Sequence, residues 1–430
     1  MDRAILFAVC AAVPAVPGSG SAAFSGPAWE NPVEIASGGG EKGPWRQNDS
    51  RYDYVDDATV AFSPHGGQVV AWVDQGSKDV WLRSVAPGGR LGAPVNVSRS
   101  PATFSWLPRI AIDPRQGTRI FLIWQEIIFS GGSHGGDILF ARSSDGGKTF
   151  AAPLNLSRSQ GGDGKGRLDR ATWSNGSLDL VAKADGTVLA SWTEYHGALW
   201  MARSLDGGAS FSNPRRIAGD DARPARAPSL AAGPGGIVHL AWTVGEDPRA
   251  AIRVARSADN GASFGAPQLV DGGDGQADAP RLAVDAGGRL HLVFAQRPSP
   301  RDRFEVRYTQ AARDGTFGPA RALSGGAPGS GAAYPMLACD GGKGLSVIWE
   351  NMGTDGRPEW LGITLSRDGG RSFTAPAKVP GSDAFAGASN GSEQGLLGQK
   401  LAVDRGGRIA IVNSRRLPGV RSRVWLLRAR

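Results

Sequence analysis

A strand ending in tryptophan, or in a residue that takes its place, recurs seven times along the chain, and such a repeat restricts the fold more than any other feature. The copies are QVVAWVD around Trp72, RIFLIWQE around Trp124, TVLASWTE around Trp192, IVHLAWTV around Trp242, RLHLVFAQ around Phe294, GLSVIWEN around Trp349 and RIAIVNSR around Val412. Each follows a short apolar run and a tight turn, as in RIAIDPRQG and RLAVDAGG, so the unit begins as a hairpin. A third strand follows (ILFARS, LWMARS, IRVARS), then a fourth (AAPLNLS, SNPRRIA, GAPQLV). Four strands at a period of about 50 residues predict the blade of a β-propeller. The seventh unit stops at VWLLRAR without its fourth strand, and FSGPAWENPVEIAS near the start has the missing form. The N-terminal segment is therefore expected to complete the last blade and close the ring, which removes exposed sheet edges.

Composition agrees with an all-β chain: 63 glycines, 28 prolines and 13 tryptophans punctuate short apolar runs, and no amphipathic helix is evident. The formal charge of +8 comes mainly from arginine and favours anionic partners. The basic residues are scattered rather than grouped in runs with interleaved aromatics, so nucleic acid is not an expected partner. The first 23 residues place Arg3 before an apolar stretch and end in Ser21-Ala22-Ala23, the layout of a secretory signal. The expectation is a signal over 1–23 and a propeller over 24–430, secreted or periplasmic, monomeric and without an integral membrane segment. Val9 stands before Cys10 where a lipobox has a small residue, and removal of the signal leaves Cys339 as a lone buried thiol.

The third and fourth strands are joined by the most specific motif, S-x-D-x-G-x-[ST]-F. It occurs as SSDGGKTF (Ser143–Phe150), SLDGGASF (Ser204–Phe211), SADNGASF (Ser257–Phe264) and SRDGGRSF (Ser366–Phe373), with ARDGTF (Ala312–Phe317) as a shortened copy. Through these segments the chain resembles the Asp-box (BNR-repeat) propellers to which sialidases belong, over about Phe24 to Arg430. The resemblance implies a closed propeller; seven repeats point to seven blades, against the six usual in sialidases, which stay open as the alternative. Asp145, Asp206, Asp259 and Asp368 are expected to be structural, their carboxylates accepting turn amides while glycines supply positive φ.

In an antiparallel blade, the second-to-third turns and the links between blades emerge at one end. Those segments are long and irregular here (QRPSPRDR, NMGTDGRP), so this loop face is the candidate binding surface. Asp74, Glu126 and Glu194 each lie two residues after a blade tryptophan, Glu350 follows Trp349, Arg109 and Arg281 occupy matching first-strand positions, and Tyr334 opens another strand. Acids with arginines suit either a carboxylated sugar or salt bridges between blades around a channel.

The sialidase resemblance implies a tyrosine nucleophile activated by a glutamate, an arginine triad and an aspartate acid/base, an exception to the usual two-carboxylate pattern. YPMLACDGGKGLSVIWE resembles the segment that begins with that nucleophile and ends with an acid supporting a triad arginine, which makes Tyr334 the candidate nucleophile, Glu350 the arginine-supporting acid and Glu194, beside Tyr195, the candidate activator. Other positions depart from the pattern. Pro335 replaces a small polar residue, Leu107 stands where the R-I-P arginine belongs with Arg109 two residues on, and His134 stands at the acid/base position. Histidine can transfer protons, but its place here suggests loss of the activity. The expectation is an exported propeller that recognises a glycan or another anionic ligand without a complete sialidase site; the alternative is a divergent exo-α-sialidase acting on an acidic sugar. No cofactor is expected. DGGDGQAD (Asp271–Asp278) carries carboxylates spaced for calcium but lacks the twelve-residue EF-hand spacing and reads as a flexible loop, and His239 and His291 read as structural.

Overall fold

A computed structural model describes residues 26–430 except Gln47 and the segments 128–136, 159–166, 169–172, 175–176, 195–196, 221, 246–248, 272–274, 326–330, 384–387 and 392–397. The signal segment, His134 and Tyr195 lie outside the described residues. Seven antiparallel sheets follow one another around a ring. The first blade is formed by Val55–Phe62, Gln68–Asp74, Asp79–Val85 and Val95–Asn96, and the pattern repeats with first strands at Phe104–Ile112, Leu178–Ala182, Ala225–Ala232, Gln276–Val284 and Gly331–Cys339. In the seventh blade Leu401–Val403, Ile409–Leu417 and Arg421–Ala429 are joined by Val33–Gly38 from the chain's start, which pairs with Arg421–Ala429 from Val33↔Leu426 to Gly38↔Ser422. Among the described residues no helix is long and apolar enough to cross a membrane.

Neighbouring blades are held by the apolar faces of their strands. The second-strand aromatics point back at the preceding blade: Trp124 packs with Val69 and Leu82 of the first blade, and Trp192 with Phe121 and Phe140 of the second. Where first and last blades meet, Val60, Val70 and Trp72 pack with Ala410, Val412, Leu426 and the N-terminal Ile35. The register corrects one detail of the repeat: the seventh equivalent of the tryptophan is Asn413, which pairs with Trp425 as Trp349 pairs with Gly362.

The four S-x-D-x-G turns share one geometry. Ser143 Oγ donates to Asp145 Oδ1 at 2.7 Å, the amides of Lys148 and Thr149 donate to the same oxygen at 2.9 and 3.0 Å, and Thr149 Oγ1 donates to Oδ2 at 2.6 Å. The hydroxyls of Ser210, Ser263 and Ser372 do the same for Asp206, Asp259 and Asp368. The Thr149 hydroxyl and its neighbours hold the Asp145 carboxyl far below the usual carboxylate range. The last glycine of each turn abuts the preceding blade, Gly147 against Leu82, Gly208 against Phe140 and Gly261 against Leu189. Arginines then staple across: Arg99 reaches the carbonyl of Ala151 at 3.0 Å, Arg203 that of Asp259 at 3.2 Å and Arg321 that of Arg371 at 2.7 Å. Part of the arginine excess therefore joins blades.

A second device recurs in the first strands. Five of them slip register, between Asp56/Thr59, Trp106/Arg109, Arg226/Ser229, Asp278/Arg281 and Ala333/Met336. Each slip centres on a non-glycine residue in the left-handed region: Asp57 (φ 53°), Leu107 (56°), Ala227 (52°), Ala279 (53°) and Tyr334 (51°). Such a bulge re-aims one side chain out of the pleat, here at the loop-face end of the innermost strand. Four of the five precede proline, at Pro108, Pro228, Pro280 and Pro335, so Pro335 belongs to the scaffold's own repeat.

Candidate functional site

The fifth and sixth blades part on the loop face to form a cleft of about 390 Å³, lined by Asp278, Ala279, Ala295, Ala333, Tyr334 and the turn that carries Arg297, Arg301, Arg303 and Phe304. The bulge places Tyr334 in its wall, partly exposed. Small neighbours leave the space: Ala279 holds the equivalent bulge seat in the fifth blade, and Ala295 stands opposite Asp278 where the fourth blade has Thr243 opposite Arg226. Arg297 lies over the Phe304 ring at 4.7 Å and donates from Nε to Gln276 Oε1 at 2.9 Å, while Arg301 and Arg303 are exposed at the rim.

Charges beneath the cleft are paired. One guanidinium nitrogen of Arg226 contacts both carboxylate oxygens of Asp278 at 2.8 Å, and Asp278 also accepts from Thr243 Oγ1 at 3.0 Å and the Ala279 amide at 2.6 Å. Lys400 of the seventh blade pairs with Glu350 Oε1; both are buried, at 3% and 1% side-chain exposure, and Glu350 Oε2 has no hydrogen-bond partner. Burial, with the charge of Asp278 next and Glu350 also contributing, raises the Tyr334 phenol above its ordinary value, while Arg226 pulls it down.

The remaining expected residues are spread around the ring. Thr59, Arg109, Asp179, Ser229, Arg281 and Met336 are equivalent by register and face the propeller axis, with Lys400 as their seventh-blade counterpart. Arg109 is buried; burial first, then the nearby Arg281, pushes its guanidinium down to about 9, against the pull of Asp179 and Asp57. Arg281 donates to the Pro228 carbonyl at 3.4 Å and interacts with Asp179, whose carboxyl burial pushes up. Glu126 is buried and accepts from Ser105 Oγ and Trp124 Nε1 at 3.0 Å each and from Thr103; its carboxyl is raised by burial. Asp74 accepts from the amides of Gly76 and Ser77 at 2.9 and 3.2 Å. Glu194 is half-buried in a second-to-third turn, its amide bonded to Ala198. The structure thus brings Tyr334 and Glu350 into one region and Arg109 and Arg281 into another, beside Asp179, and leaves Glu126, Asp74 and Glu194 apart from both.

Arg226, Thr243, Lys400 and the arginines of the RPSPRDRF turn carry no signal of their own in the sequence, and Asp278 shows there only as the end of the DGGDGQAD run. Arg226, Asp278, Thr243 and Lys400 find their partners on other blades, and the turn was visible along the chain only as a long irregular link. Asp278, read as part of a calcium-like run, is engaged by Arg226, and no group of three or more His, Cys, Asp or Glu that could hold a metal occurs among the described residues. His291 is buried, its Nδ1 lying 2.8 Å from the Tyr308 hydroxyl. Burial raises the half-buried Cys339 thiol to about 11.

Fold and cleft together define a seven-bladed β-propeller with an arginine-lined cleft between two blades on its loop face. No family model matches the chain, and no curated protein matches it. Solved structures do. An ulvan lyase of a new polysaccharide lyase family, bound to -[GlcA(1-4)Rha3S]-, is similar with a TM-score of 0.57 and 12% identity, over 92% of this chain and 95% of that one. A protein of unknown function from Dyadobacter fermentans is similar with a TM-score of 0.53 and 15% identity, over 78% of this chain and 99% of that one. The Hadza microbial sialidase Hz136 matches with a TM-score of 0.45 and 15% identity over 69% of this chain, and the chain spans 63% of that sialidase's length. The first two likenesses show a shared fold.

Proposed function

We propose that the cleft between the fifth and sixth blades binds an acidic sugar of a glycan, and that it does so without the full sialidase machinery. The observation that carries this reading is the composition of the cleft: Arg297, Arg301 and Arg303 line it against two acids, Asp302 and the Arg226-paired Asp278, with Tyr334 and Phe304 as aromatic surface. Guanidinium groups grip carboxylate or sulfate, and an aromatic wall takes the apolar face of a sugar ring. The ulvan lyase, whose bound ligand contains glucuronate and a sulfated rhamnose, lends support as a neighbour in fold.

Three features argue against cleavage. None of the five bulge seats holds an arginine, since Leu107 occupies the seat where the resemblance wanted one, and the cations beneath the cleft are already paired, Arg226 with Asp278 and Lys400 with Glu350. A tyrosine nucleophile also needs its phenol activated, whereas burial holds that of Tyr334 high. The alternative, a divergent sialidase, rests on the strained Tyr334 in the cleft wall. Release of 4-methylumbelliferone from its sialic-acid conjugate decides between them: the binding reading expects no turnover, and turnover that vanishes in Tyr334→Phe establishes the enzyme. Export to the periplasm or beyond is part of the proposal, and N-terminal sequencing of the mature protein, expected to begin near Phe24, tests it.

A further inference from the structure

A second surface on the loop face has the same chemistry. Glu41–Lys42 pairs with Tyr52–Asp53 in a ribbon that leads into the first blade, and the segment between them carries Trp45. Trp45 is 36% exposed, the one aromatic among the exposed large apolar side chains of the described residues. It rests on an aromatic floor, with ring centroids 6.4 Å from Tyr52, 6.0 Å from Phe104 and 5.6 Å from Trp106. Lys78 pins the segment, donating to the Asn48 carbonyl at 2.5 Å while lying 5.2 Å from the Phe104 ring centre. Next to this platform is a groove of about 980 Å³ lined by exposed Arg46 and Arg51, with Lys78 and one acid, Asp49.

We propose that this groove is a second subsite for an acidic sugar, so that the loop face holds a polymeric acidic glycan at two separated places. The inference rests on the reading of the cleft and deepens it, from a terminal sugar to an extended chain. Both sites are built from the same parts, a link into a first strand and a second-to-third turn (Gln75–Lys78 here, Arg297–Phe304 at the cleft), so they open on the same side of the ring with the sixth and seventh blades between them. A rigid, half-covered indole offers flat apolar area at little cost in side-chain entropy, and arginines at its edge select for carboxylate or sulfate. A protein partner would call for a broad exposed apolar patch, whereas here a single aromatic is exposed among cations. Engagement of both sites makes the second contact intramolecular, and affinity then rises with chain length until the ligand spans them.

The test is calorimetric titration of the mature protein with size-graded oligomers of polygalacturonate, chondroitin sulfate and polysialic acid, beside neutral dextran oligomers. The expected result is binding to an acidic series that tightens by at least about tenfold from short to long oligomers. Trp45→Ala and, separately, Arg51→Ala should remove that rise while keeping the short-oligomer affinity and the melting temperature. A length effect that persists in both variants overturns the second subsite and leaves the cleft reading intact, whereas binding that is equal with dextran overturns both. If the unaltered protein binds none of the acidic series, both readings fall.

Discussion

Ala295 occupies in the fifth blade the position that Gln125, Thr193, Thr243 and Glu350 hold in other blades, facing the next blade. The cleft exists because that side chain is small. Substituting Ala295→Phe is expected to abolish acidic-sugar binding and to lower the melting temperature, since Ala295 lines the cleft but is itself buried and a ring there would both fill the cleft and press on its neighbours. The Glu350–Lys400 pair behaves differently. Lys400→Met should cost about 3–5 kcal/mol in urea unfolding, because it strands a buried carboxylate, whereas Lys400→Met with Glu350→Met should recover most of the loss. His239 is buried, and burial first, then Arg256, lowers its imidazole to about 4 from an unfolded value of 6.5. A depressed histidine contributes stability that is complete above the unfolded value and lost as pH falls from 6.5 towards 4, so His239→Gln should lose less stability than the unaltered protein over that range. Tyr334 and Glu350 were legible because they repeat a position relative to a strand start or a blade tryptophan. Arg226, Asp278 and Lys400 were not, because each finds its partner on a different blade.

The blade turns make a sharper prediction, because Gly369 and Gly370 separate two reasons for glycine. Both have positive φ, 73° and 79°, but a Cβ on Gly369 meets open space, whereas one on Gly370 collides with the Tyr308 hydroxyl of the preceding blade. Gly369→Ala should cost only backbone strain, about 1–2 kcal/mol. Gly370→Ala should cost distinctly more, since the clash adds to the strain. Equal costs in denaturant unfolding would refute the close-approach role. At this scale the sequence was read well where chemistry is local: Ser, Asp and Gly at fixed spacing specify a turn that closes on itself. The first-strand bulges were missed although their trace, a residue before proline in Leu107-Pro108, Ala227-Pro228, Ala279-Pro280 and Tyr334-Pro335, lies in plain view. Proline in a strand reads as an interruption, and only the register shows that it follows a bulge.

Across the whole molecule, the number of blades was legible because each repeat must bury the same apolar face against its neighbours. The single aromatic that gives way, at Asn413, leaves both of its side-chain polar atoms without partners in a buried setting. Net charge predicted an anionic partner but could not separate the arginines that staple blades from those that face solvent; Arg99, Arg203 and Arg321 are of the first kind, Arg301 and Arg303 of the second. On this reading the cleft arginines bind acidic sugar beside Tyr334, and the decisive measurement is titration calorimetry of the unaltered protein against Arg297→Ala/Arg303→Ala, using acidic and neutral oligosaccharides at two salt concentrations. Binding of acidic oligosaccharides alone, weakened by salt and at least about tenfold by the double substitution, is the result predicted. Binding that ignores the substitution, or that favours neutral sugars, would contradict it.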